Sequence, residues 1–434
     1  MRLNKNTLID LVFVFFFLFN LLFNDYSDSH VLIPAVLLFF HVQKIWQFRN
    51  SAELEFLLVF SITFSIYWLL SVFLDVDIHY LASNIKNYHM AKAFAAQGLF
   101  LSCIFLILKG RAPCTIADYP RRNITAIFWF CILAMGLCLI GGISTAEGSI
   151  LDQSYDFSVD KSSVLFEYVL LLIIFGYMSS GNSRTRKVVL IIASACFVLA
   201  PLYFSRRLPA TMVLFAMLLL FWRPSGLKQV LAIFVAGFFA LSLLALFRVG
   251  ESGQSFVGIL LNIGDQGAMR NNQGGSIYSA AVYMRLIEDG IFDFSFAIKS
   301  MASLLLSIFL PSSMVDEAAY INLAAVNYIP IPGNGGMPGV AFYVFGRVFG
   351  VVLAGLVIGR LLVLSRRSYM AAVYVTFIFF TFPRWMAYNV NIMFKAGILL
   401  MIGYLVIEFL TSSYRKSARL SSGSWEEEVI EAKA

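Results

Sequence analysis

Twelve apolar runs, each near the length of a bilayer-crossing helix and joined by polar segments, constrain this chain more than any motif in it. A peptide segment inside hydrocarbon must satisfy its own backbone N–H and C=O groups. Only a helix does so within one segment, and about 20 apolar residues span the core. The runs fall at 7–24, 30–47, 54–74, 91–109, 124–142, 162–180, 188–204, 208–222, 229–247, 340–364, 369–388 and 391–411. Composition agrees: 60% of the residues are hydrophobic and 13% are charged, against about 25% charged in a soluble globular chain. The predicted fold class is an all-α polytopic integral membrane protein with about twelve transmembrane helices. The first run contains Asp10 and is followed by no small-residue cleavage site, so it is expected to remain as a helix and not to be removed as a leader.

The division expected from these runs is nine helices over 1–248, a large outward loop over 249–339, three helices over 340–411 and a tail over 412–434. Orientation follows from lysine and arginine, which accumulate on the cytoplasmic side. With both termini inside, 20 of the 32 basic residues face the cytoplasm, with 9 of the 25 acidic ones. The inner side then carries +11 and the outer −4, which together give the chain's +7. The positive balance is thus a membrane-sidedness signal and no argument for nucleic acid as a partner. Phe294 to Leu310 is apolar enough to be a thirteenth span, but counting it would place Arg366, Arg367, Arg415 and Lys416 outside. It is therefore expected to be a re-entrant or interfacial helix within the loop. A loop of about 90 residues far exceeds an ordinary connection, and loops of that size usually carry function.

Outward basic residues run against the charge bias, so their positions carry information. Arg206 and Arg207 sit at the turn between the seventh and eighth runs, Arg248 ends the ninth, and Arg270 and Arg285 lie in the long loop. Arg347 is about two turns inside the tenth run, and Arg384 ends the eleventh beside Pro383 and Trp385. Each of these has a bland reading, a side chain snorkelling to the interface. Arg347 resists it, because an arginine at helix centre costs about 3 kcal/mol even on a lenient insertion scale. As a set they predict a cationic outward pocket for an anionic, membrane-anchored phosphate or pyrophosphate, which guanidinium forks bind bidentately.

Glycines at 333, 335, 336 and 339 before the tenth run suit close approach of a ligand or another chain. Gly346, Gly350, Ala354, Gly355 and Gly359 follow at spacings that more often mean helix packing. Asp265, Glu288, Asp289, Asp293, Asp316 and Glu317 are the loop carboxylates within which a general base is sought; Asp265 and Glu317 are taken as the candidates. Asp316 and Glu317 also suit the electrostatics of a helix start. Asp75-Val76-Asp77 has a DxD form, but two aspartates at that spacing are common by chance, and no metal or other cofactor is expected. The five cysteines lack metal-ligand spacing, and the four histidines are expected at interfaces or in loops.

On this plan, and on two local elements, the chain resembles the O-antigen polymerases of the Wzy type. Ser205-Arg206-Arg207 opening a span is similar to a Ser-Arg element of the polymerase and ligase superfamily. Gly335-Gly336 through Phe345-Gly346 to Phe349-Gly350 is similar to the glycine- and aromatic-rich start of the span after the large loop. The resemblance implies a glycosyltransferase of the bacterial inner membrane that joins undecaprenyl-pyrophosphate-linked oligosaccharide repeat units at the periplasmic face. It implies inverting transfer with pyrophosphate leaving, and Arg206, Arg207, Arg248, Arg347 and Arg384, then Arg270 and Arg285, on the phosphates or sugar. Membrane lipid, a chain-length regulator and a flippase are the implied partners. Related ligases carry a histidine in the large loop, and Val249 to Gly339 has none. A flippase or other transporter of the same lipid-linked sugar is the rival reading, disfavoured by the lack of an internal repeat.

Overall fold

The structure, a computed structural model, describes residues 5–23, 29–120, 123–144, 162–203, 207–249, 272–310, 314–332 and 335–431. Among these residues the regular elements are helical and none is a strand. In chain order they are α1 (Lys5–Phe23), α2 (Ser29–Gln47), α3 (Ala52–Phe73), α4 (Asn87–Leu108), α5 (Thr125–Ser144), α6 (Ser162–Met178), α7 (Ser183–Tyr203), α8 (Arg207–Phe221) and α9 (Leu227–Val249). After these come α10 (Asn272–Glu288), α11 (Phe294–Leu306), α12 (Ile321–Val326), α13 (Pro338–Leu364), α14 (Tyr369–Phe380), α15 (Phe382–Ala387) and α16 (Asn391–Glu431).

Six of the described helices are long and apolar enough to cross a membrane: Asn6–Phe23, Ser29–Gln47, Ala52–Phe73, Asn87–Leu108, Pro338–Leu364 and Asn391–Phe409. Shorter apolar helices cover Thr125–Ile140, Tyr168–Met178, Thr211–Phe221, Leu227–Gly237, Phe294–Leu306 and Tyr369–Phe380. Six of the twelve expected spans are met in this sense, and one of the others has a specific reason to differ. The run at 369–388 is two helices, because Pro383 lacks an N–H to continue the ladder and instead occupies the first turn of α15.

Helix α4 is the hub, packed by α1, α2, α10 and α13. Its small residues explain why: Ala91, Ala93, Ala95 and Ala96 are all fully buried, and without bulky side chains they let neighbouring backbones approach. The glycines of α13 do the same from the other side. A Cβ at Gly339 would lie 2.5 Å from the Ala96 carbonyl oxygen, one at Gly355 2.6 Å from Cys103 Cβ, and one at Gly359 2.9 Å from the Ile104 oxygen. Gln97, a polar residue mid-helix, accepts the Gly339 N–H through Oε1 at 2.9 Å. It thereby satisfies one of the donors that a helix start leaves orphaned, just after the Pro338 that opens α13.

Two polar ends bracket this core. At one, Arg223 bonds Glu53, Thr115 (2.8 Å) and Asp118 (2.6 Å), tying the start of α3 and the 115–118 turn to the α8–α9 connection. There too the Cys114 N–H meets Ser365 Oγ at 2.9 Å, Tyr119 donates to the Ser365 carbonyl, and Arg366 Nε donates to the Ala112 carbonyl at 2.7 Å. At the other end, the 79–89 segment and the start of α4 meet the end of α10. The segments grouped at each end are those that the lysine and arginine bias puts on a common side.

Candidate functional site

The loop segment builds most of this second end. Helix α10 is buried on every face over residues 274–284, with Ile277, Tyr278, Ala281, Val282, Tyr283 and Leu286 fully buried, so it is a core helix. Ser276 Oγ donates to the Ala387 carbonyl at 2.6 Å, which moors its start to α15. Gly335 and Gly336 earn their backbone freedom here. A Cβ at Gly335 would lie 1.0 Å from the Tyr388 oxygen, and Gly336, at φ +75°, passes Tyr283 and Ala280. The closely approaching partner is thus this chain's own backbone.

The end of α10 is a Schellman motif. Gly290, at φ +73°, donates its N–H to the Ile287 carbonyl at 3.2 Å, and Ile291 donates to the Leu286 carbonyl at 2.9 Å. This stop positions two groups on one short turn. On the near side is Glu288, whose Oε2 accepts from the Tyr88 hydroxyl at 2.5 Å and from His89 Nε2 at 2.6 Å. His89 Nδ1 accepts the Lys86 backbone N–H at 3.1 Å, and a backbone N–H only donates. The neutral ring therefore carries its proton on Nε2, directed at Glu288. Partial burial would raise the Glu288 carboxyl, but the hydrogen bonds from Tyr88 and His89 outweigh it and hold the carboxyl below its ordinary range.

On the far side, four residues on, is Phe292, whose backbone carbonyl receives Nη2 of Arg347. Arg347 interrupts α13. Gly346 leaves helical geometry, and Arg347 stands at φ +52°, ψ −144°. A non-glycine residue held there costs about 1–3 kcal/mol, so the surroundings must over-determine it. Its guanidinium lies 5.8 Å from the Tyr343 ring centre, and Nη1 is buried with no hydrogen-bond partner. The Asp293 carboxylate also lies within electrostatic reach of the guanidinium.

The remaining predicted residues fall as follows. Arg206, Arg270 and Asp265 lie outside the described residues, and the side chains of Arg207 and Arg248 lie outside them too. Arg285 is engaged structurally, through the Asn84 carbonyl and Asp289 at 3.3 Å. Arg384 sits in the short α15, its guanidinium 5.6 Å from the Tyr388 ring centre. Glu317 is exposed in a 3₁₀ turn and accepts from Asn327 at 3.3 Å. Its neighbour Asp316 caps that turn through the Ala318 N–H and pairs with Lys299 at 2.8 Å. Those two bonds, Lys299 first, hold the Asp316 carboxyl below its usual range.

The structure brings together Glu288, Tyr88 and His89 with the Arg347 turn. The sequence singled out Arg347 and left Glu288 among six carboxylates. Glu288-Asp289-Gly290 is the one signal in the sequence that marks this stop, a helix end followed by glycine. Three of the histidines expected at interfaces or in loops are buried, His79 in the loop before α4, stacked on the Tyr278 ring, among them. His89 is buried in the Glu288 cluster, and His41 is buried within α2, between the Leu37 carbonyl (2.7 Å) and Ser61 (2.8 Å). Among the described residues no group of histidine, cysteine and carboxylate side chains is placed to hold a metal. Comparison with protein-family models, with curated proteins and with solved structures finds no match to this chain.

Proposed function

We propose that this protein is an oligosaccharide repeat unit polymerase. It transfers a growing glycan from undecaprenyl pyrophosphate to a sugar hydroxyl of the next lipid-linked repeat unit, at the outer face of a bacterial inner membrane. The observation that carries the reading is Arg347: a half-buried guanidinium at a strained break in a long apolar helix, with one donor nitrogen desolvated and unpartnered. Glycosyl transfer from a pyrophosphate lipid builds negative charge on the leaving group. A preorganised arginine donor in a water-poor setting stabilises charge developing there and needs little rearrangement to do so. Arg384 lies on the short helix α15, which is moored to α10. Membrane lipid surrounds the protein, and the supply of repeat units and the control of chain length fall to a flippase and a chain-length regulator as partners.

The transporter reading has less support. Alternating access requires one end of the bundle to part. Opposite the Arg347 side, Arg223 joins three segments, and four further hydrogen bonds join the 112–119 stretch to α13, α14 and their connection.

The experiment is the Arg347→Ala variant in the native strain. It is expected to abolish long-chain polysaccharide while the protein remains in the membrane, leaving a single repeat unit on the acceptor lipid. Arg347→Lys should restore only part of the polymer, because an ammonium lacks the planar fork. Normal chain length in Arg347→Ala would sink the assignment, and loss of even the single repeat would favour the transporter.

A further inference from the structure

We infer that Glu288 is the general base of this transfer and that His89 and Tyr88 are its positioning residues; the inference rests on the polymerase reading above. Among the described loop carboxylates Glu288 is the one that two side-chain donors hold by a single oxygen. Oε2 takes two donors, the Tyr88 hydroxyl at 2.5 Å and His89 Nε2 at 2.6 Å, while the side chain as a whole stays 47% exposed. Both donors reach the same oxygen, which fixes the rotamer and leaves the other oxygen without a donor among the described residues.

His89 is excluded as the base by its own geometry. Its Nδ1 is filled by the Lys86 N–H and its Nε2 proton is directed at Glu288, so it has no free lone pair for a substrate. Asp316 and Asp293 are spent as caps, on Ala318 and Phe296. Asp289 pairs with Arg285, and Glu317 accepts from Asn327 in an exposed turn.

The second observation is position. Glu288 and Phe292 are the two ends of one Schellman turn, and Phe292 holds Arg347. The Glu288 carboxylate and the carbonyl that holds Arg347 are therefore set four residues apart by one turn. Single displacement at a sugar carbon needs a proton acceptor for the attacking hydroxyl and a donor for the departing pyrophosphate, presented to opposite faces of one sugar.

The step balances without a further reagent. The acceptor O–H bond breaks and its proton goes to the open oxygen of Glu288. The acceptor oxygen bonds the anomeric carbon as the bond from that carbon to the pyrophosphate oxygen breaks, and the electron pair leaves with the lipid pyrophosphate beside Arg347. Glu288 then releases its proton to the outer solvent. The charged and titratable groups facing Glu288 are Lys86, Tyr88, His89 and Lys92 from the start of α4, and Arg285 and Asp289 from its own helix.

The test uses the full chain in proteoliposomes, supplied with undecaprenyl-pyrophosphate-linked repeat units extracted from cells lacking it. Glu288→Gln keeps the shape and an acceptor oxygen for Tyr88 and His89. It is expected to lower kcat about 100-fold or more with KM little changed, the usual scale of general-base loss. The rate it retains should lack the acid limb of the wild-type pH profile. Because Tyr88 and His89 fix the rotamer and hold the carboxyl low, Tyr88→Phe and His89→Gln should lower kcat several-fold and move that limb to higher pH. A structural role would change yield or plateau and leave the limb in place. Wild-type rates in Glu288→Gln, or an unmoved limb in both other variants, overturns this assignment and leaves the polymerase reading standing. Wild-type protein that makes no polymer from these repeat units overturns both.

Discussion

Asp10 and Lys44 form an ion pair in which both side chains are essentially unexposed, with the ammonium 5.6 Å and 5.7 Å from the ring centres of Phe40 and Phe105. Removing one partner of such a pair strands the other charge in a dry site, which costs about 3–5 kcal/mol, whereas replacing both by apolar groups is often neutral. Asp10→Ala should therefore lower the thermal midpoint of the detergent-purified protein, and Asp10→Leu with Lys44→Met should recover most of the loss. Arg347 is the contrasting case at this scale. Its guanidinium is only half-buried, donates to the Phe292 carbonyl, and has no partner for Nη1 among the described residues. Both charges were visible in the sequence as interruptions of apolar runs. That Asp10 finds Lys44 across 34 positions, while Arg347 finds a backbone carbonyl, depended on which helices pack together.

The glycine stripe of α13 separates two uses of one residue type. Gly355 and Gly359 let α13 sit against α4, and their four-residue spacing in the sequence already suggested packing. Gly355→Val should drive the helices apart, at about 1–3 kcal/mol as for other overpacked cores. Reduced thermal stability, and faster amide exchange in residues 96–104, would report it. Gly136 on α5 meets nothing within 4 Å at the Cβ position, so Gly136→Ala should leave both measurements unchanged. Helix α10 was the element least legible in advance. Its alternating serine, glycine and alanine give little apolar periodicity, and it was placed within an outward loop. In the folded chain it is buried against α3, α4 and α13, because small residues suit a crowded position that a hydropathy pattern does not reveal.

Among the described residues, contacts gather connecting segments at two ends, and the charge bias predicts which of them is outside. Impermeant maleimide tests this directly. In a background where the native cysteines are replaced, Asp289→Cys is expected to label in intact spheroplasts and Arg366→Cys only after permeabilisation. The reverse pattern would invert the topology and move the Glu288 turn to the cytoplasm. What the sequence determined by itself was the class: backbone hydrogen bonds cannot be left open in hydrocarbon, so repeated apolar runs force helices, and lysine and arginine orient them. It also marked Arg347, since a charge inside such a run is costly wherever it points. Only the tertiary structure decided that the eleventh run is two helices, that Arg347 stands at a helix break, and that Glu288 is the carboxylate held by Tyr88 and His89. Those facts join residues about 200 and 55 positions apart in the chain. Such pairings are set by close packing of many side chains at once, which no local pattern encodes.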